Sequence, residues 1–209
     1  RPAAVRLRRG AGTLPAAQRR ILAEIPPRWR RLSESGRVEL STPPYPPPIL
    51  PLLCDTDAAR RALPTVVLPP RFAHPEDARW HVREAIASHA RRFGAPPAGM
   101  WPAEGSVSPE AVEVLAAEGV RWAASDEGVL LHSLPPDAPR LRSLYRPWKV
   151  AAGAGGELTM LFRDRSLSDG IGITYEHGPA VEAVRGFCSH LTAIGQARVG
   201  RDLHVEVEG

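Results

Sequence analysis

Proline fixes where this chain can and cannot run in regular structure. It holds 23 prolines in 209 residues, about twice ordinary usage, and they are unevenly placed. Pro43, Pro44, Pro46, Pro47, Pro48 and Pro51 crowd one loop, while Pro69-Pro70, Pro96-Pro97 and Pro135-Pro136 come as pairs. Proline has no backbone N–H and a fixed φ, so it suits the first turn of a helix but interrupts a helix interior or a central strand. Each cluster marks a place where an element starts or stops. Between the clusters lie segments with clear apolar periodicity, the pattern of an ordered domain with rigid loops rather than of a proline-rich linker.

Read between these marks, the chain alternates helices and strands. Residues 1–14 show no periodicity and are expected to be disordered. Ala16 to Ile25 reads as a helix with Ile21, Leu22 and Ile25 on one face. Pro26-Pro27 is expected to end it, with Pro27 opening a second short helix through Trp29 and Leu32 that Gly36 closes. Val38-Glu39-Leu40 reads as a short buried strand and residues 49–61 as helical. His74-Pro75-Glu76-Asp77 opens the clearest helix, with Trp80, Ile86, Ala87 and Phe93 on its apolar face and Gly94 at its end. Ala98 to Trp101 is a strand end, Ser108 caps a helix that Pro109 begins, and Gly119 stops it. Val120–Ala124 and Leu158–Phe162 are strands, Gly153 to Gly156 is a hairpin turn, Pro179–Leu191 is a helix, and Leu203, Val205 and Val207 alternate as a final strand. Repeated strand–helix order predicts an α/β fold built on a parallel sheet with surrounding helices, as one domain over residues 1–209.

Composition removes several other classes. The net charge is +4 with both signs interspersed. The run Arg6, Arg8, Arg9, Arg19, Arg20, Arg28, Arg30 and Arg31 reads more simply as solvated helix faces than as a nucleic-acid patch, so no nucleic-acid partner is expected. No segment approaches the roughly 18 apolar residues of a membrane span, and no apolar signal core opens the chain. The expectation is a soluble cytoplasmic protein. Cys54 and Cys188 fit no metal spacing, the seven histidines show no paired spacing, and no phosphate loop, dinucleotide fingerprint or serine-nucleophile elbow occurs. No metal or cofactor is expected.

In α/β folds the chemistry sits at the C-terminal ends of the strands. Glu39, Glu104, Asp126, Glu127 and Asp164 all fall at the ends of expected strands. Cleaving a glycosidic bond needs two carboxyl groups, one to protonate the leaving oxygen and one to attack the anomeric carbon or activate water. Glu104 follows Trp101-Pro102 and precedes Gly105. Trp101 offers an apolar face for a sugar ring, and Gly105 allows close backbone approach. The plainer alternative is a glutamate favouring the next helix dipole. Asp164 follows an apolar strand beside Arg163, with Asp169 five residues on, and the plainer alternatives there are an Arg–Asp pair or a helix cap. Trp148 could stack on a sugar but reads more simply as core, and His74 reads as a helix-start residue.

The segments Gly36-Arg-Val-Glu39-Leu-Ser-Thr, Ile49-Leu-Pro-Leu-Leu53, Gly99-Met-Trp-Pro-Ala-Glu104-Gly-Ser-Val-Ser108, Trp122–Val129 and Leu161-Phe-Arg-Asp164-Arg-Ser-Leu-Ser-Asp169-Gly-Ile-Gly172 together resemble glycoside hydrolase family 57, in its α-amylase-like bacterial branch, from about residue 33 to 191. The resemblance implies an incomplete (β/α)7 barrel and a retaining double displacement on α-glucans or maltooligosaccharides, by hydrolysis or transglycosylation. It also implies Glu104 as nucleophile and Asp164 as acid/base, with Asp169 as the alternative, and Glu39, Trp101, Asp126, Glu127, Arg163 and Asp169 as substrate-binding residues. The family's first region, a His-Gln-Pro strand, and its fifth, an Asp-Gly-Glu-Asn stretch, are absent, and Pro47 stands where relatives usually carry histidine. The expectation is therefore a partial domain, with a catalytically incomplete remnant as the other outcome.

Overall fold

The structure is a computed structural model that describes residues 16–199. The expected disorder of residues 1–14 and the expected strand of Leu203, Val205 and Val207 lie outside the described residues.

Four strands form one open sheet in the order β1-β2-β4-β3: β1 Gly99–Met100, β2 Trp122–Asp126, β3 Trp148–Ala151 and β4 Glu157–Arg163. β1, β2 and β4 are parallel, with Met100 opposite Ala123 and Asp126 opposite Arg163. β3 runs antiparallel to β4 across the turn at Gly153–Gly155, as the glycine run predicts. The helices are α1 Ala16–Glu34, α2 Leu50–Cys54, α3 Ala59–Ala62, α4 Pro75–Phe93, α5 Pro109–Ala117, α6 Glu127–His132, α7 Arg140–Leu144, α8 Arg165–Asp169 and α9 Ala180–Val199. The α/β class holds, and the sheet is an open segment of the expected barrel-like kind whose last edge strand is antiparallel.

Several boundaries differ from the sequence reading for identifiable reasons. α1 runs straight through Pro26 and Pro27. The two prolines remove the bonds to the carbonyls of Leu22 and Ala23, but those residues are exposed, so the orphaned carbonyls reach water and the helix continues. Val38–Leu40 is not a strand. The chain passes beside β1 with one bridge, Thr42 to Met100, because Pro43 and Pro44 cannot donate to a ladder. The helical stretch after Ile49 breaks at Asp55 (φ −168°), whose side chain caps the following turn by accepting the Asp57 N–H at 3.0 Å. β2 starts two residues later than expected, since Gly119 (φ +84°) closes α5 and Val120 donates back to Leu115 at 3.1 Å. α9 extends past Leu191 to Val199.

The largest helix keeps its expected ends, with Pro75 in its first turn and Gly94 (φ +88°) at its close. Its buried face is not the one that carries Trp80. Ala78, Val82, Ala85 and His89 are buried while Trp80 is exposed. The small side chains of Ala78, Val82 and Ala85 allow close packing on this face of the helix, whose neighbours are α1, α2 and α5, and the bulkiest side chain is turned aside. The core they join includes Leu50, Met100, Leu115 and Leu158, each with no exposed surface.

Cys54 belongs to this core. Burial, with the nearby Glu110 carboxylate adding to it, pushes its thiol up to about 11, whereas Cys188 is exposed on α9. Iodoacetamide at pH 8 is therefore expected to label Cys188 in the native chain and Cys54 only after denaturation, as read by peptide mass spectrometry. Among the described residues no helix is long and apolar enough to cross a membrane.

Candidate active site

Beyond β1 the backbone makes one tight turn that presents Glu104. The Trp101 N–H donates to the Thr42 carbonyl at 3.1 Å, Pro102 is buried, and Ala103–Gly105 close a single 3₁₀ turn. Glu104 sits at φ +57°, ψ +15°, the one non-glycine residue with positive φ among the described residues. That left-handed conformation costs an ordinary side chain roughly 1–2 kcal/mol, so the surroundings must enforce it. They do so from two sides. The Ser106 hydroxyl donates to the Ala103 carbonyl at 2.7 Å, and the fully buried Ser125 of β2 donates its hydroxyl to the Gly105 carbonyl at 2.5 Å. Gly105 (φ +66°) has the Trp101 ring and the Asp126 amide 3.4 Å from where a Cβ would stand. The result is an exposed carboxylate at the C-terminal edge of the sheet. The helix-dipole alternative has a better claimant, because Ser108 caps α5 by accepting the Ala111 N–H at 3.2 Å and Glu110 occupies its first turn.

Ser125→Ala leaves the Gly105 carbonyl without its buried donor. It is expected to lower stability by about 1–3 kcal/mol, measured by urea unfolding. An unchanged midpoint would show that the clamp carries no energy.

The ends of β2 and β4 carry a network of charges. Asp126 caps α6 by accepting the Gly128 N–H at 2.8 Å, receives Arg163 Nε at 2.9 Å, and pairs with Arg165. Burial would raise its carboxyl, but Arg165, the Gly128 amide and Arg163 outweigh burial and hold it below the ordinary carboxylate range. Asp164 caps α8 by accepting the Leu167 N–H at 2.9 Å and accepts the Tyr145 hydroxyl on its other oxygen. Arg140 lies 3.7 Å from that oxygen and pairs with Glu127. For Asp164, too, burial works upward, and it is outweighed by the Tyr145 hydrogen bond, the Leu167 amide and the Arg140 charge, so the group is held low. Burial and the neighbouring carboxylate push the Tyr145 phenol well above its ordinary value. Asp169 ends α8, 3.5 Å from Arg163, with its side chain 43% exposed.

Of the residues singled out from sequence, Glu104, Trp101, Asp126, Glu127, Arg163, Asp164 and Asp169 gather at this edge. Glu39 does not. It accepts the Trp122 indole N–H at 2.5 Å, at the first residue of β2, while Asp126 is the last. Four residue rises put those strand ends about 13 Å apart. Trp148 is half-buried against the core and donates to the Ser143 carbonyl at 2.8 Å, and His74 stands at the start of α4. Arg140, Tyr145, Arg165 and Ser125 are members of the site that sequence reasoning did not find. Arg165 and Ser125 adjoin residues that were singled out, whereas the stretch around Arg140 and Tyr145 carries no periodicity to place it.

A family model of glycosyl hydrolase family 57 matches residues 11–208. The chain belongs to this family. The three segments Gly99–Ser108, Trp122–Val129 and Leu161–Gly172, on which the resemblance rests, converge on one sheet edge. Among solved structures this family 57 chain is similar to the α-amylase AmyC of Thermotoga maritima, with a TM-score of 0.53 and 18% identity over 73% of this chain and 25% of that one. It is equally similar to a family 57 branching enzyme of Thermococcus kodakaraensis, with a TM-score of 0.53 and 18% identity over 75% of this chain and 28% of that one. At such identity the likeness speaks for the fold. The chain spans about a quarter of the length of these structures. No protein of curated function matches it by sequence.

Proposed function

We propose that this chain is the central part of a retaining family 57 enzyme acting on α-glucans, with Glu104 as nucleophile and Asp164 as acid/base. The observation that carries this reading is the Glu104 turn, a carboxylate held exposed in a strained conformation by a buried clamp from the neighbouring strand. Strain of this kind persists where function requires it. β1 and β4 flank β2 and run about 9.5 Å apart across the sheet, with β4 continuing three residues past the level of Met100, which lies across Ala123 from Met160. A retaining pair works at about 5–5.5 Å, and this reading requires the Glu104 and Asp164 carboxyls to approach to that separation. Asp164 protonates the glycosidic oxygen as Glu104 attacks the anomeric carbon. The C–O bond breaks and a covalent glycosyl-enzyme forms. Water, or another glucan hydroxyl, then attacks that carbon, gives its proton to Asp164 and releases Glu104. Trp101, Asp126, Glu127, Arg163 and Asp169 line the approach, and Glu39, held by Trp122, stands outside this set. The step runs on the two carboxyls alone.

One observation favours a second reading, a partial domain that binds α-glucan weakly without turnover. β1 has only two residues and a single bridge beyond it, which leaves the nucleophile side of the sheet open. Product analysis after incubation with maltoheptaose separates the two. Shorter or longer maltooligosaccharides support catalysis, and their lengths divide hydrolysis from transfer. A folded chain that gives no products supports the second reading. Asp164→Asn and Asp169→Asn assign the acid, since only the true acid/base variant loses turnover.

A further inference from the structure

We propose that α1 is a docking surface for an anionic membrane, on which the chain rests by one face of this helix without crossing the bilayer. The helix stands out from the body of the chain, with every side chain from Gln18 to Leu32 exposed. Arg30 faces the body, its guanidinium lying 3.0 Å from where a Cβ of Gly94 would stand at the end of α4. At 3.6 residues per turn, Ile21, Ile25 and Leu32 fall within about 40° of the line opposite Arg30. Leu22 and Trp29 widen this stripe on one flank, and Arg20, Arg28 and Arg31 border the other. The five apolar side chains keep between 37% and 60% of their surface in solvent, which costs free energy until something covers them. The Trp29 indole N–H has no partner among the described residues. A tryptophan with an apolar body and a free donor suits the boundary between acyl chains and headgroups.

Charge decides what kind of surface covers the stripe. α1 holds five arginines and two glutamates. Arg28 pairs with Glu24 and Arg30 with Glu34, while the Arg31 and Arg37 guanidinium groups make no ion pair among the described residues. Gly36 (φ +71°) turns the chain back after α1, and the Arg37 N–H closes the turn by donating to the Leu32 carbonyl at 3.2 Å. Arg37 thereby lines an open hollow of about 420 Å³ together with Arg28, Arg31, Leu32 and Ser35. No carboxylate lines it, and Leu32 of the apolar stripe forms part of its wall. A lipid phosphate suits the arginines, and the acyl region beneath it suits the stripe beside them. The dipole at the helix C-terminus would account for the arginines alone, as would a nucleic acid, but both leave the stripe uncovered. A second copy would cover the stripe but bring the same surplus of positive charge. A basic amphipathic helix with tryptophan among its apolar residues matches an anionic bilayer on both counts.

The test is co-sedimentation of the purified chain with vesicles of phosphatidylcholine alone and of phosphatidylcholine mixed equally with phosphatidylglycerol. Binding is expected to the anionic vesicles only, and added salt is expected to release it. Arg31→Gln combined with Arg37→Gln is expected to weaken it by roughly 30-fold, since each arginine near an anionic surface is worth about fivefold. Ile21→Ser combined with Ile25→Ser is expected to weaken it by about tenfold or more. Circular dichroism checks that the helix is kept, and the arginine pair carries the test should the serine pair lose it. Binding to neutral vesicles as strong as to anionic ones, binding to neither, or parent-like binding by either folded variant overturns the proposal. A chain that ignores vesicles but sediments with DNA gives the surface to nucleic acid, and a dimer that the serine pair dissociates, again without vesicle binding, gives it to a second copy. Both results overturn the proposal as well. None of these outcomes touches the reading of the Glu104 edge, which stands or falls on turnover of maltoheptaose in solution.

Discussion

Replacing Glu104 by glutamine is expected to abolish turnover of maltoheptaose, by about 10⁴-fold or more, and to leave the fold unchanged. The magnitude follows from the role, because removing the nucleophile of a covalent mechanism removes the path itself, and losses of this order are the rule for such groups. The unchanged fold follows from the surroundings. Among the described residues the Glu104 side chain makes no hydrogen bond or ion pair, and an amide of the same shape fits the same exposed position. The turn is held by its backbone carbonyls, through Ser106 and Ser125. Glu104→Gly sharpens the argument. Glycine accepts φ +57° without strain but loses more entropy on folding, roughly 0.5–1 kcal/mol. This variant is expected to match the parent in stability, or exceed it by up to ~1 kcal/mol, while being equally inactive. A site kept for structure would lose stability when its side chain is removed, whereas a site kept for chemistry loses activity alone. Product formation rates and urea unfolding read the two effects separately.

Gly99→Ala is expected to be the most damaging small substitution in the sheet, at about 3 kcal/mol or more. A Cβ at Gly99 would stand 1.8 Å from Cε2 of Trp122 and 2.2 Å from two further ring atoms. The indole lies flat over the glycine, and it cannot easily yield. Its backbone is in β2, paired to β1 on one side and β4 on the other, and its N–H is bound to Glu39 at 2.5 Å. A methyl group must therefore either expel Trp122 or part β1 from β2. Overpacking of a well-filled site costs about 1–3 kcal/mol and more where backbone has to move. β1 has only two residues, so it has little pairing to resist the push, and the Glu104 turn moves with it. Loss of activity should thus accompany the loss of stability. Gly119→Ala is the matched control. Nothing lies within 4 Å of a Cβ there, so only its left-handed φ is penalised, by roughly 1 kcal/mol. The two melting curves, compared side by side, separate close contact from backbone strain.

The contrast between these glycines shows what the sequence made legible. Gly94 and Gly119 announce themselves as helix ends by position, and Ser108-Pro109 announces a helix start. In each case the signal is local, set by one residue's own conformational limits. Gly99 carries no such signal, because its need for a missing Cβ comes from Trp122, 23 residues away on another strand. The same distinction divides the site. Glu104, Asp126 and Asp164 could be picked out because each follows an apolar run, and strand ends gather on one edge in any parallel sheet. Glu39 sits in a similar local pattern, yet the three-dimensional pairing gives it to the Trp122 indole at the start of β2. Arg140 and Tyr145 lie in an aperiodic stretch between β2 and β3, and only the fold reveals that they close over Asp164. Proline was a good guide to loops but a poor one in α1, where an exposed helix tolerates Pro26-Pro27 because water can serve the orphaned carbonyls.

The measurement that tests the central assignment most directly is covalent trapping of the nucleophile. The purified chain is incubated with a 5-fluoro glycosyl fluoride of the α-glucose series, which forms a glycosyl-enzyme faster than it is hydrolysed, and is then digested and sequenced by mass spectrometry. The account predicts one added fluorohexosyl group, on the peptide containing Gly99–Ser108 and on Glu104 within it, absent from Glu104→Gln. A chain that turns over maltoheptaose yet carries the label on a different carboxylate, or forms no covalent adduct, would contradict it.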